Sequence, residues 1–298
     1  MSFTIASTVD EALAAMASGA TPIAGGTDLV VGARHGKAPL PDALVAIDRI
    51  AEMTTIEQAA DGMSVGALVS HARLMTDPLV IGSYTAIADA SALVGSPATR
   101  HMGTIGGNVM NASPAMDTGA PLLVLGAEAE LRSSAATRRV GLDALWTGPG
   151  QTSAAADELL VALHLPASTE RRGSAYVRLE YRRAMEIAVV GAAAGVTLAA
   201  DGSIVSAAVA LAAVAPTIVA VEGASEALAG RSPADAGATI AAMAAAQASP
   251  ISDLRASEAY RRHCIGVMAK RAVDAAARRA SGESIAVPVN RSTGIGAA

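Results

Sequence analysis

The sequence predicts an α+β chain built in two successive parts, and three observations carry that reading. Up to Pro166, short apolar runs alternate with short helical patterns, and two Gly-Gly loops interrupt them. From Ala175 to Ala213 three long apolar runs follow one another, the last two joined by an Asp201-Gly202 hairpin turn. Beyond Pro216 the spacing becomes helical. A three-stranded antiparallel sheet followed by helices is a compact α+β unit of its own, so the boundary falls among the charged and small residues at 167–175. The 298 residues are enough for one large or two to three small domains.

In order along the chain, Thr8 caps a first helix with Glu11 three residues later, and Ala12, Leu13 and Met16 supply its apolar spacing. Gly19 ends it. Thr21 to Ile23 is a short strand running through Ala24-Gly25-Gly26-Thr27-Asp28 into a helix from Leu29 to Arg34. Ala43 to Ile47 is the next strand, and Met53 to Ile56 with Gly62 to Val65 forms a hairpin. Helices start at Ser70 and at Asp77-Pro78, followed by a small-residue run from Ile87 to Leu93. Ala127 to Arg132 and Arg138 to Gly141 make a strand pair, Leu142 to Leu145 a helical turn, Trp146 to Thr152 a loop, and Glu158 to Leu165 a strand closed by Pro166. Strands then cover Ala175 to Arg182, Ala188 to Leu198 and Ile204 to Ala213. Helices cover Ala224 to Leu228, Pro233 to Ala246 and Ser257 to Ala280.

Composition excludes several classes. Hydrophobic residues are 52% of the chain but aromatics only 2%, so the core is made of small side chains with Leu, Ile, Val and 11 methionines. With a net charge of −5 and dispersed basic residues, no nucleic-acid surface is expected. The most apolar stretch, Ser206 to Val221, is interrupted by Pro216 and is shorter than the roughly 20 residues of a membrane span; it reads as two buried strands joined by a turn. The N-terminus has neither a basic segment nor a continuous apolar one, so a cytoplasmic location is the expectation. One cysteine, Cys264, rules out an internal disulfide or a self-contained iron–sulfur cluster and reads as a small buried hydrophobe. His35, His71, His101, His164 and His263 stand apart without metal-ligand spacing and read as surface or capping residues.

The chemistry concentrates in the glycine loops. In Thr104-Ile105-Gly106-Gly107-Asn108, adjacent glycines allow close backbone approach, and flanking Thr104 and Asn108 supply hydrogen bonds. Inward-turned amides there would cradle an anion; the alternative is a Gly-Gly hairpin turn. Ala24 to Asp28, between a strand and a helix start, has the same character without matching the Rossmann or P-loop patterns. Asp117, between a proline and a glycine, is placed to accept two sugar hydroxyls or, alternatively, to cap the helix that Pro121-Leu122-Leu123 continues.

These residues carry a family resemblance. PIAGGTDL at Pro22–Leu29, SVGALVSHARL at Ser64–Leu74, SPATRHMGTIGGNVMNASPAMDTGAPLLVLGAEAEL at Ser96–Leu131 and GPGQTSAAADELLVALHLP at Gly148–Pro166 resemble the FAD-binding medium subunit of molybdenum hydroxylases. That group includes the medium subunit of carbon monoxide dehydrogenase, subunits of dehydrogenases acting on N-heterocycles and nicotine, and the flavin domain of xanthine dehydrogenase. YRRAMEIAVVGAAAGVTL and AYRRHCIGVMAKRAV are similar to the family's C-terminal flavoprotein domain.

The resemblance implies a vanillyl-alcohol-oxidase-like (PCMH-type) fold in which two subdomains, 1–58 and 59–170, clasp an extended FAD, followed by a C-terminal α+β domain at 171–298. It implies that Ala24, Gly25, Gly26, Thr27 and Asp28 form one loop on the diphosphate, and Thr104, Ile105, Gly106, Gly107 and Asn108 the other. A side chain at Gly106 or Gly107 would then stand against the diphosphate. Asp117 would bind the adenosine ribose, Leu160 would line the cofactor, and Arg178 falls where many relatives carry a lysine near the flavin. Position 28 is Asp where some members carry Ser. The implied function is an electron outlet. Electrons would come from a large molybdopterin subunit through the [2Fe-2S] clusters of a small subunit, in a dimer of heterotrimers, and leave through FAD to an external acceptor. Two rivals stand beside it: a self-sufficient FAD-dependent oxidase or reductase, which the six aromatic residues argue against, and a non-catalytic assembly module.

Overall fold

The computed structural model describes residues 2–291. Strands β1 (Ser2–Ile5), β2 (Thr21–Ile23) and β3 (Ala43–Ala46) form a parallel sheet in the order β1-β3-β2. Parallel neighbours need crossovers, and α1 (Val9–Ala17) and α2 (Leu29–Arg34) supply them. The Thr8 hydroxyl accepts the Glu11 amide at 3.2 Å while the Glu11 carboxylate accepts the Ser7 amide at 2.7 Å. Val9, Ala12, Leu13 and Met16 form the buried stripe of α1.

The second sheet holds β4 (Ile56–Ala59), β5 (Gly62–Gly66), β6 (Glu128–Arg132), β7 (Thr137–Gly141) and β10 (Leu159–Pro166), antiparallel in the order β4-β5-β10-β6-β7. The hairpin expected to begin at Met53 begins instead at Ile56, because Ala51–Thr54 closes into a 3₁₀ turn. Between β5 and β6 the chain runs through α3 (His71–Leu74), α4 (Pro78–Ser83), α5 (Thr85–Leu93), α6 (Pro97–Met102), α7 (Ile105–Met110) and α8 (Gly119–Val124). The Ser70 hydroxyl and the Asp77 carboxylate cap α3 and α4. The small-residue run at 87–93 is therefore helix, buried throughout because alanine and serine let neighbours close in on every side. After α9 (Leu142–Leu145), the residues expected as a loop pair into a short ribbon, β8 (Trp146–Gly148) with β9 (Gln151–Thr152).

The C-terminal sheet is antiparallel in the order β11 (Arg172–Leu179), β12 (Val190–Leu198), β13 (Ile204–Ala212), β14 (Val219–Ala220). It has four strands where three are expected to make the sheet; the fourth is the second of the two strands read at Ser206 to Val221, but it spans only Val219–Ala220 at the sheet edge and is not buried. Ala224–Leu228 (α10), Pro233–Gln247 (α11) and Glu258–Ala280 (α12) follow. Helix α12 packs on β11 and β12, and α5 and α8 pack on the C-terminal sheet from the other part of the chain. Strand β12 is accordingly almost entirely buried and, up to Val196, made of Val, Ala and Gly.

One core runs through the first two sheets and takes in Tyr176, Ala193 and Ile218; a second lies between the last sheet and α10 to α12 and includes Cys264. Asp89 of α5 joins the two parts. It is fully buried and accepts Arg279 of α12 at 2.6 and 3.0 Å, the Tyr176 amide at 3.1 Å and the Val289 amide at 2.9 Å. Among the described residues no helix is long and apolar enough to cross a membrane.

Candidate functional site

The first glycine loop meets Met102 and Gly103, the residues that lead into the second glycine segment about 80 residues later in sequence. Gly25 lies so close to the Met102 carbonyl that a Cβ at position 25 would overlap it, and a Cβ at Gly103 would stand 3.5 Å from the Thr27 hydroxyl. Strand pairing fixes the second segment from below: the Ile105 amide donates to the Val69 carbonyl at 2.9 Å, the His71 amide to Gly103 at 3.2 Å, and the Gly106 amide to Ala67 at 2.8 Å.

The segments differ in their free donors. Thr104 to Asn108 is not a turn: Thr104 caps α7, its hydroxyl accepting the Gly107 amide at 3.1 Å, so the glycines lie inside a short helix. Most of its first-turn amides therefore already have partners in the chain. In the first loop, by contrast, the amides of Gly25, Gly26, Thr27 and Asp28 have no acceptor among the described residues. Gly26 is held at φ +67°, a left-handed conformation that glycine adopts without strain. A row of open amides beside a helix start fits an anionic group such as a diphosphate. Burial raises the Asp28 carboxyl above its ordinary range and nearby Lys37 opposes it.

Beside α7, the Asn108 carboxamide oxygen accepts the Thr118 hydroxyl, which places Asp117 next to the second segment. Thr118, not Asp117, occupies the cap position of α8. Asp117 is buried, and its carboxylate accepts the Tyr176 hydroxyl at 2.8 Å on Oδ1 and the Arg178 guanidinium at 2.8 Å on Oδ2. Arg178 is fully buried, and its remaining donors reach Glu180 and the Glu186 carbonyl. Burial raises the Asp117 carboxyl while Arg178 and Tyr176 pull it down; burial likewise pushes the Tyr176 hydroxyl well up. Burial works against the Arg178 charge, but Asp117, Tyr176 and Glu180 hold the guanidinium above its ordinary value. Leu160 sits on β10 opposite Leu131, 3% exposed, at the bulge in that strand.

Sequence reasoning brings Asp117 and Arg178 into the site but misses Tyr176 and Thr118. A signal existed: Arg178 stands among Ala175, Tyr176, Val177 and Leu179, and an arginine in an apolar strand needs a buried partner. His71, expected at the surface, is 2% exposed because α3 tucks it against Gly103. Its Nδ1 has no partner among the described residues, and burial, helped by Arg100, lowers its pKa to about 4. Among the described residues no cluster of His, Cys, Asp or Glu could hold a metal ion.

Residues 1–168 match the family described as the FAD binding domain in molybdopterin dehydrogenase, and residues 174–276 match the CO dehydrogenase flavoprotein C-terminal domain. The chain belongs to this molybdopterin-dehydrogenase flavin family. It is 32% identical over 261 residues to the carbon monoxide dehydrogenase medium chain of Afipia carboxidovorans, covering 88% of this chain and 90% of that one. It is 33% identical over 174 residues to the xanthine dehydrogenase FAD-binding subunit of Escherichia coli O157:H7, a match that spans 58% of this chain and 59% of that relative. Reconstituted CO dehydrogenase from Oligotropha carboxidovorans superimposes with a TM-score of 0.89 at 30% identity, over 94% of this chain and 98% of the other. Quinoline 2-oxidoreductase from Pseudomonas putida 86 gives a TM-score of 0.87 at 28% identity, over the same shares. The family's α+β fold, an FAD-binding part followed by a C-terminal domain, is the architecture described above.

Proposed function

We propose that this chain is the FAD-carrying electron-transfer subunit of a heteromeric molybdenum hydroxylase. Its partners are a large molybdopterin-binding subunit and a small subunit with [2Fe-2S] clusters, in a dimer of heterotrimers in the cytoplasm. The observation that carries this reading is the row of open amides at Gly25 to Asp28, held where Gly25 meets Met102 at the end of α6, just before the second glycine segment. Membership of the flavin family and the likeness to CO dehydrogenase along nearly the whole chain support it.

When bound, FAD supplies the redox chemistry, and the protein supplies placement and electrostatics. Ala24 to Asp28 hold the diphosphate through backbone N–H groups, with the α2 N-terminus behind them. Thr104 to Asn108 close the other side, Gly107 presenting a bare, exposed backbone and Asn108 its side-chain amide. Asp117 accepts the ribose of the adenosine half, Leu160 lines the apolar wall, and Arg178, bonded to Asp117 at 2.8 Å, holds its positive charge at that same end of the cofactor and not at the flavin. In this reading the cofactor lies between the units 1–58 and 59–170, and 171–298 is the C-terminal domain.

The test is purification of the chain alone and with its neighbouring genes co-expressed. A flavin absorption spectrum, and recovery of two partner chains carrying iron–sulfur and molybdopterin, are expected. A colourless chain that takes up no added FAD would sink the proposal.

A further inference from the structure

We infer that Tyr176 and Arg178, both on the C-terminal sheet, are positioning residues that fix Asp117 as the acceptor for the ribose hydroxyls of FAD, so that nucleotide recognition is completed across the domain boundary. The inference rests on the FAD reading above. Asp117 belongs to the loop before α8, whereas Tyr176 and Arg178 lie 59 and 61 residues later on β11. An ionised carboxylate offers about four acceptor sites. Tyr176 and Arg178 occupy one on each oxygen and leave the others for a ligand.

The surroundings favour this arrangement over simple burial of an ion pair. Arg178 is gripped from its far side by Glu180 and lies on β11 opposite Gly191 of β12, so its fork cannot swing. A Cβ at Gly191 would overlap the Tyr176 hydroxyl; the bare backbone there is what leaves room for the phenol to reach Asp117. On the other flank, Thr118 bonds Asn108 and ties the Asp117 loop to the second glycine segment. The charged and titratable groups facing Asp117 are thus Arg178, Tyr176 and Glu180, and two fixed donors, one on each oxygen, hold the carboxylate in one orientation.

The experiment uses the full chain stripped of flavin. FAD is titrated by fluorescence quenching from about pH 8 down to about pH 5, with ADP and its 2′-deoxy and 3′-deoxy forms as competitors. Wild-type protein is expected to prefer ADP over at least one deoxy form by roughly tenfold, the loss typical of a hydrogen bond to a charged acceptor. Tyr176→Phe keeps the ring and removes one donor. It should shrink that preference and make FAD affinity fall at a higher pH than in wild type, because a carboxylate with fewer donors protonates more readily. Arg178→Lys keeps the charge without the fork and should act in the same direction, which preserves the test if one variant misfolds. Wild-type protein that binds FAD without discriminating ribose overturns this inference alone. So does either folded variant that keeps the wild-type preference and pH profile. Failure of wild type to take up FAD overturns the reading beneath it.

Discussion

Gly25 packs against the Met102 carbonyl so closely that a Cβ on residue 25 would overlap the oxygen. The contact brings a loop after β2 onto the end of α6, and with it the open amides of the first segment onto the approach to the second. An alanine at position 25 must push the two apart, and the obstacle is backbone, which cannot rotate away. Gly25→Ala is therefore expected to cost about 1–3 kcal/mol of stability, as overpacking does, and to lower FAD affinity at least roughly tenfold by opening the cradle. Thermal melting and flavin titration of the purified variant read both effects; an unchanged affinity would show that the loops need not touch to bind.

The adjacent glycines of α7 should respond differently. A Cβ at Gly106 meets Ala67, at 2.6 Å from its Cβ and 2.7 Å from its carbonyl oxygen, whereas a Cβ at exposed Gly107 meets only the Thr104 hydroxyl at 3.1 Å. Gly106→Ala is expected to destabilise the flavin-free protein by about 1–3 kcal/mol. Gly107→Ala should leave the flavin-free protein within about 0.5 kcal/mol, since the helix gains propensity while Thr104 gives slightly, yet should weaken FAD retention. Urea unfolding of the stripped proteins, set beside their flavin content after purification, separates the two. Equal behaviour of the pair would refute the difference.

Those glycines also mark how far the sequence could be read. Capping and turn chemistry is short-range, so Thr8 with Glu11, Asp77-Pro78, Asp201-Gly202 and Ser257 each announce an element that the fold contains. Gly106-Gly107 announces a turn by the same logic, but Thr104 as a cap and Ala67 as a packing surface make it helix, and the second of those lies about 40 residues away in sequence. The expectation that a side chain at Gly106 points to the ligand fails for that reason. Tyr176 against Asp117 and Arg279 against Asp89 depend on how the C-terminal sheet docks, which no local pattern encodes. What the sequence does offer is the anomaly itself: Asp89 within an alanine-rich helix and Arg178 within an apolar strand are both polar residues that burial would penalise unless partnered.

Asp89 is the sharper case for stability. Its four donors come from α12, β11 and the segment at 289, so removing Arg279 leaves a fully buried carboxylate with two amides and no counter-ion. Arg279→Met is expected to destabilise the protein by about 3–5 kcal/mol, the cost of breaking rather than replacing a buried pair. Replacing both ends, Asp89→Asn with Arg279→Met, should recover part of that loss because no net charge stays buried. Chemical denaturation of the two variants checks the order; a single variant within about 1 kcal/mol of wild type would mean that water or another cation reaches Asp89.

His71 gives the fold a pH dependence of known sign. Burial, with Arg100 nearby, holds its pKa at about 4, below the unfolded value of 6.5, so the folded state favours the neutral imidazole. Above pH 6.5 both states are neutral and the contribution is fully present. As pH falls from 6.5 towards 4 the unfolded chain takes up a proton that the folded chain refuses, and stability drops by about 3 kcal/mol in total; below 4 both are protonated and this loss stops growing. His71→Gln removes the titration while keeping a polar side chain, so its unfolding free energy should fall less steeply across that window than wild type. Because His71 lies against Gly103, beneath the meeting of the two glycine segments, the same protonation should loosen the cradle before the whole chain unfolds. Unfolding curves at about pH 7, 5.5 and 4.5, paired with amide exchange of Gly103 to Ile105, test both statements. Parallel slopes for wild type and variant would rule out His71 as the group responsible.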